Sequence, residues 1–495
     1  MKSHPELEDT APIWGLAALD ARRKRAHQHL SGLAGRRENW IKQNAYYYGM
    51  LGHLLGFIIA PQKRVLSVRG NARQLADVKP SAGVLVEICE EIVTVARKEH
   101  PELTFRIAHP DTADFAEQFG NSEKFDYIIF NCVDDTADIE AALKNLRHLS
   151  TPETRLIVVS YNPLWAPVFT LAEKLGLKLP ELEQNWLSKI DIINFLETCG
   201  YECLKSYPSV FLPKYVPLLS GFLNGFCARL PGLNRLSMLQ VYTARLVPEA
   251  IDPEKLKVSV IIPCKDEQGN IASAVERMPK LGGRTEIIFC DDKSTDGTVE
   301  EIQRMQALHS GKDIRLVAGP GICKSQNVWA GFRAATGDVL MILDADLTTM
   351  PEELPSFLEL LCSGRAEFVN GSRLVYAMPI GAMKGANMLG NKFFSLVFSY
   401  LLDQRVKDTL CGTKVLWRKD WQRLEPLLDS WGTQDRWGDY ELLFGASKLN
   451  LRIRDLPVHY QERLYGSTKM TRVFKNGLIM LRMCFYGFLR LKLGY

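Results

Sequence analysis

Long uncharged apolar runs are missing from this chain. No window reaches the roughly 18 consecutive apolar residues that a membrane-spanning helix requires. The first 40 residues are charged and lack the apolar core of a secretory leader. Cysteine pairing signals are missing too: the 11 cysteines stand singly, their number is odd, and no Cys-x-x-Cys spacing occurs. Neither a disulfide framework nor a thiolate zinc site is expected, and the thiols are read as reduced. A large charge excess is also absent. The 61 Lys and Arg against 57 Asp and Glu leave a net charge of +4, too little for a nucleic-acid binder driven by bulk charge. What remains is an ordinary globular composition, with 46% hydrophobic residues in a chain of 495, long enough for several domains. The expected location is the cytoplasm, peripheral on the inner face of the cytoplasmic membrane.

The pattern along the chain divides it into five parts. Residues 1–35 form a polar, helix-prone extension with a basic run, Arg22-Arg23-Lys24-Arg25. From 36 to 247 apolar strands alternate with helical patterns, the strands being 64–68, 83–87, 104–108, 127–130 and 155–160, which predicts a doubly wound α/β domain on a parallel sheet. The polar stretch 248–255, with Pro248 and Pro253, is read as a linker. A second strand–helix series fills 256–469, and 470–495 reads as a basic amphipathic helix.

Chemistry concentrates in the second series. Leu340-Met341-Ile342-Leu343-Asp344-Ala345-Asp346 places two carboxylates two residues apart just past a fully apolar strand. In extended chain i and i+2 share a side, so Asp344 and Asp346 can converge on one hard cation, Mg²⁺ or Mn²⁺, held together with substrate phosphates. Asp291-Asp292 ends another apolar strand, and Pro263-Cys264-Lys265-Asp266-Glu267 ends a third. The loop Gly319-Pro320-Gly321-Ile322-Cys323-Lys324 can offer backbone N–H groups and an ammonium to phosphates.

Taken in order, these segments resemble a family 2 glycosyltransferase of the GT-A fold. Gly371-Ser372-Arg373, Asn387 to Lys392, Asp408 to Lys414, Gly438 to Leu443 and Arg463 to Lys469 resemble the dolichyl- and polyprenyl-phosphate sugar transferase branch. The Gln-x-x-Arg-Trp motif of the processive branch is missing, since Gln434-Asp435-Arg436-Trp437 is one residue short of it, which favours a single transfer per cycle. The resemblance implies a nucleotide-sugar donor, a metal on Asp346 with Asp344 assisting, and inversion in one in-line displacement. Pro263, Asp266, Glu267, Asp291 and Asp292 would hold the donor, and Lys324 its phosphate charge. For a lipid-phosphate acceptor the cationic candidates are Arg373, Arg463 and Lys469. For a hydroxyl acceptor a base is needed, and Asp408 or Asp439 is the candidate.

At about 100° per residue, Arg472, Lys475, Arg482 and Arg490 share one arc of 471–492, and Phe474, Leu478, Leu481, Phe485 and Phe488 the next. That pattern suits a helix lying in a bilayer interface, with 388–402 a second candidate. The same faces would also suit packing on the protein's own core or in a homo-oligomer.

Residues 40–245 resemble a class I S-adenosylmethionine-dependent methyltransferase. Glu87 ends the second strand where a ribose is bound, Asp111 falls near the adenine position, and Phe125 to Asn131 matches the fourth-strand segment. The cofactor loop departs from the family: Val65-Leu66-Ser67-Val68-Arg69-Gly70-Asn71 keeps one glycine, Gly70, and has Ser67 in place of an acid. Methyl transfer is therefore expected to be lost. The leading expectation is a metal-dependent inverting transferase acting on a polyprenyl phosphate. The alternatives are a bifunctional glycosyltransferase and methyltransferase acting on a saccharide or small molecule, and an N-terminal module that only recruits.

Overall fold

The computed structural model describes residues 16–120, 122–131, 133–180, 184–376, 385–432, 435–461, 463, 465 and 473–494. Two compact units divide the chain, Met1–Val247 and Pro248–Tyr495. Each is built on one seven-stranded sheet.

In the first unit the strands are β1 (Arg64–Val68), β2 (Ala82–Glu87), β3 (Thr104–Ile107), β4 (Tyr127–Phe130), β5 (Arg155–Tyr161), β6 (Tyr201–Ser209) and β7 (Leu239–Leu246), in the order β3-β2-β1-β4-β5-β7-β6. Strands β1 to β5 are parallel, and β7 runs antiparallel to both β5 and β6. The sheet is thus mixed rather than all parallel, because β6 and β7 are separated by short helical turns with no crossover helix to return the chain in the same direction. The central strands are apolar at successive positions because both faces are covered. Leu66, Val68, Val84 and Val86 pack on one side, and Val65, Leu85, Ile129 and Ile157 on the other. Two helices precede the sheet, α1 (Leu16–Gln43), which runs through position 35 without a break, and α2 (Ala45–Ile58), which buries Leu51, Leu54, Leu55 and Ile58.

The second unit contains β8 (Lys257–Cys264), β9 (Arg284–Asp291), β10 (Asp313–Ala318), β11 (Val339–Ile342), β12 (Phe368–Ser372), β13 (Lys414–Trp417) and β14 (Ile453–Pro457). Their order is β10-β9-β8-β11-β13-β12-β14, with β13 antiparallel to its neighbours. The chain winds outward from β8 through β9 to β10, then returns to place β11 on the other side. This reversal leaves a crevice beyond the carboxyl ends of β8 and β11, where α/β sheets bind ligands.

Candidate active site

Three adjacent parallel strands end at that crevice, and each exit is forced. Asp266 after β8 (φ 50°), Lys293 after β9 (φ 61°) and Leu347 after β11 (φ 52°) all hold left-handed backbone without being glycine. Such conformations cost on the order of 1 kcal/mol each and persist where surrounding contacts fix them. The strand-end acids supply some of those contacts. Asp266 Oδ1 accepts the Thr295 N–H at 2.7 Å, and Asp292 Oδ1 accepts the Gly321 N–H at 2.8 Å, drawing the glycine loop onto β9. Asp291 Oδ2 accepts the Ser294 N–H at 3.2 Å, while its Oδ1 is buried with no hydrogen-bond partner. Glu267 is buried and binds Asn270 at 2.8 Å, so its carboxylate is committed to the start of its own helix. Pro263 is half-buried within β8.

Four carboxylates of the site each carry a cation. Asp344 Oδ1 meets Lys324 Nζ at 2.5 Å, and Asp346 Oδ2 meets Arg463 Nη2 at 2.6 Å. Asp439 Oδ1 meets Lys414 Nζ at 2.7 Å, and Asp408 Oδ2 meets Arg373 Nε at 2.7 Å. Asp346 is steadied further by Thr348, whose hydroxyl donates to Oδ1 at 2.9 Å. Asp439 opens the helix Asp439–Lys448, where a negative side chain is favoured. It lines a narrow cleft with Lys324, Trp437 and Gly412. Burial alone would raise the Asp344 pKa, but the Lys324 charge and hydrogen bond, with Arg373 and Lys414 further off, bring it below the ordinary range. Burial likewise works against the Lys324 ammonium, and Asp344, Asp439 and Asp346 outweigh it and hold the group charged.

Asp408 is a different kind of group. It is fully buried and accepts from the Arg373 backbone N–H (3.0 Å), Nε (2.7 Å) and Nη2 (2.9 Å), from Asn391 (2.8 Å) and from the Leu410 N–H (3.0 Å). Burial pushes its pKa up, and the Arg373 charge with these donors overrides that and holds it at about 2. A carboxylate so occupied does not take a proton from a hydroxyl; it fixes Arg373. Arg373 in turn has two nitrogens committed to Asp408 and lies over the Tyr460 ring at 5.2 Å. Of the two base candidates, Asp439 is the one that faces the cleft. Lys469 lies outside the described residues.

The sequence reading quoted Gly412 and Lys414 within a motif without giving either a role, and it missed Thr348. Lys414 has its side chain wholly buried and paired with Asp439. Gly412 is bare for a reason: a Cβ there would fall 2.1 Å from Asp344 Oδ2. No described cluster of three or more His, Cys, Asp or Glu could hold a metal by itself.

In the first unit the cofactor candidates are engaged by the chain itself. Glu87 Oε1 accepts from Arg37 of α1 at 3.2 Å, and the same guanidinium reaches the Gly70 carbonyl at 3.2 Å. Asp111 Oδ2 accepts from Arg23 of α1 at 3.1 Å. A Cβ at Gly70 would meet Ser67 Oγ at 2.3 Å and Asn131 Nδ2 at 2.7 Å, so the close approach to this glycine is taken by protein side chains. These residues as arranged do not fit S-adenosylmethionine.

Residues 259–442 match the model of glycosyl transferase family 2. A dolichol-phosphate mannosyltransferase of Pyrococcus furiosus is 37% identical over 24% of this chain and 34% of that protein. An undecaprenyl-phosphate 4-deoxy-4-formamido-L-arabinose transferase of Aeromonas hydrophila is 32% identical over 22% of this chain and 34% of that protein. The chain thus spans about a third of the length of these curated relatives. A SAM-dependent methyltransferase of Thermotoga maritima has TM-score 0.35 at 14% identity, over 44% of this chain and 99% of that one, a likeness too slight to carry an argument. The C-terminal unit carries a family 2 glycosyltransferase domain.

Proposed function

We propose that the C-terminal unit transfers a single sugar, with inversion, from a nucleoside-diphosphate sugar to a polyprenyl-phosphate-type acceptor. The observation that carries this reading is the pairing of Asp344 with Lys324 and of Asp346 with Arg463 at the end of β11. A divalent ion, Mg²⁺ or Mn²⁺, would supply Lewis-acid neutralisation of the departing diphosphate when held by Asp344 and Asp346. Lys324 and Arg463, which stand beside those carboxylates, would then offer their cations to the phosphate oxygens. Asp266 and Asp292, set at strained strand ends, suit the ribose and base. An acceptor that is already a phosphate anion requires no general base, which agrees with an Asp408 saturated by hydrogen bonds. The names of the similar proteins, both transferring to lipid phosphates, point to the same acceptor class. Peripheral attachment to a membrane is part of the proposal. No helix among the described residues is long and apolar enough to cross one, but Leu478, Leu481 and Phe485 leave an exposed apolar stripe on the helix Val473–Phe488.

The test is incubation of the purified protein with Mn²⁺, a panel of labelled UDP- and GDP-sugars and a polyprenyl phosphate, beside Asp346→Ala. Label is expected in the lipid fraction and absent with the variant. Metal-dependent release of nucleotide with no labelled lipid would overturn the acceptor assignment and keep the donor site.

A further inference from the structure

The N-terminal unit encloses a cavity of about 400 Å³ between α1, α2 and the carboxyl ends of β1, β4 and β5, a volume in the range of small-ligand sites. Its lining is basic in balance: Arg22, Arg25, Arg37, Arg69, Lys178 and Lys214 face it, against Asp134 and Asp135, with Arg22 donating to Asn185, Arg37 paired with Glu87 and Lys178 paired with Glu173. Both acids are engaged within the protein, although Asp135 Oδ1 is buried with no hydrogen-bond partner. Asp134 accepts from the Ser160 hydroxyl at 2.7 Å and the Tyr161 N–H at 2.9 Å, and Asp135 pairs with Arg69 at 2.6 Å. The two acids that would recognise a nucleoside, Glu87 and Asp111, are taken by Arg37 and Arg23 of α1. S-adenosylmethionine carries a sulfonium and an ammonium against one carboxylate, so its net positive charge is repelled here.

The other walls are apolar. Trp40, Tyr47, Trp165 and Phe169 line the cavity. Val168, 49% exposed, lines it too and continues as Leu171 and Leu175 along one face of the helix Ala166–Lys174. Next to the lining residue Lys214 the chain exposes Tyr215, Leu218 (93%) and Phe222. A basic, aromatic-walled cavity with an apolar lip is the chemistry of an anionic amphiphile.

We infer that the N-terminal unit holds a lipid-phosphate site. In it the arginines of α1 neutralise Glu87 and Asp111, and the remaining cavity takes a phosphate ester of a long apolar alcohol. This inference rests on the geometry of the first unit and is independent of the sugar-transfer reading.

The test is calorimetric binding to the full-length protein with farnesyl monophosphate as probe, beside farnesol, inorganic phosphate and S-adenosylmethionine. The wild type is expected to bind farnesyl monophosphate at least about tenfold more tightly than any of the three controls. Arg25→Glu and Val168→Glu are each expected to weaken it by at least about tenfold; the exposed Val168 site keeps the test sound if the α1 variant loses its fold. Unchanged affinity in both variants overturns the inference, as does tighter binding of S-adenosylmethionine. Sugar transfer, assayed in parallel, reports on the C-terminal reading alone: transfer together with unaltered probe binding in both variants sustains that reading and sinks this one.

Discussion

Single residues decide the crevice of the C-terminal unit, and two of them separate positioning from chemistry. Gly412 has no left-handed backbone, so Gly412→Ala costs the fold little, yet its Cβ would drive into the Asp344 carboxylate. Displacing a reacting group by about 1 Å is worth on the order of 10²-fold in rate. Transfer by Gly412→Ala should fall by that order while the thermal midpoint stays near wild type; an active variant would place Asp344 outside the site. Asp408→Asn should behave in the opposite manner. It leaves the half-buried Arg373 guanidinium without its counter-charge and is expected to cost about 3 kcal/mol of stability, read by denaturant unfolding. Lysine at position 373 should not restore the pair, because it lacks the fork that spans both Asp408 oxygens.

At the scale of elements, strands buried on both faces announce themselves as apolar runs, which is why β1, β4, β8 and β11 were legible in the sequence. The strand β6 was not: Tyr201-Glu202-Cys203-Leu204-Lys205 mixes polar and apolar residues because β6 closes the sheet as an edge strand. The strand-end acids of the site were legible too, since carboxylates after apolar strands are conspicuous. Lys324 and Arg463 were read as site cations, but their pairing with Asp344 and Asp346, and that of Lys414 with Asp439, was not, because the three cations come from separate segments that only the fold brings together. The same limit applies to α1, whose basic run reads as a solvated face although Arg23 reaches Asp111 in the loop after β3. The C-terminal helix was legible in part. Leu478, Leu481 and Phe485 are exposed as an interfacial face requires, but Arg490 lies over the Trp431 ring at 5.9 Å instead of pointing to head groups, and Arg472 falls outside the described residues. If the exposed stripe is the contact, Leu478→Glu with Phe485→Glu should abolish sedimentation with anionic vesicles, with no loss of thermal stability since both positions are solvated. Unaltered sedimentation would move the contact elsewhere.

For the molecule as a whole, the balance of buried carboxylates sets how stability responds to pH. Glu441, on the helix that begins at Asp439, is buried; burial first, then the charges of Asp435 and Asp429, raise its pKa to about 8. Its neighbour Asp435 is raised in the same way, by burial and by Asp439. A carboxyl whose folded pKa lies above its unfolded one holds a proton in the native state that the unfolded chain releases. Its stabilising effect is complete below the unfolded value, near 4.5, and is lost as pH rises to about 8. The upper limit of that loss is about 1.4 kcal/mol per pH unit. Asp408 acts in the other sense: held at about 2, it stabilises the fold above its ordinary value of 3.8 and is lost only as pH falls towards 2. Between these windows the C-terminal unit should be most stable near pH 4–5 and lose stability through neutrality. Glu441→Gln keeps the shape of the protonated acid and removes its titration. Urea midpoints recorded from pH 5 to 9 should therefore fall more steeply for wild type than for Glu441→Gln, with the variant the more stable above pH 8. Parallel curves would show that Glu441 is ionised in the native state, and that the helix Asp439–Lys448 carries a buried charge which Asp435 and Asp429 do not expel.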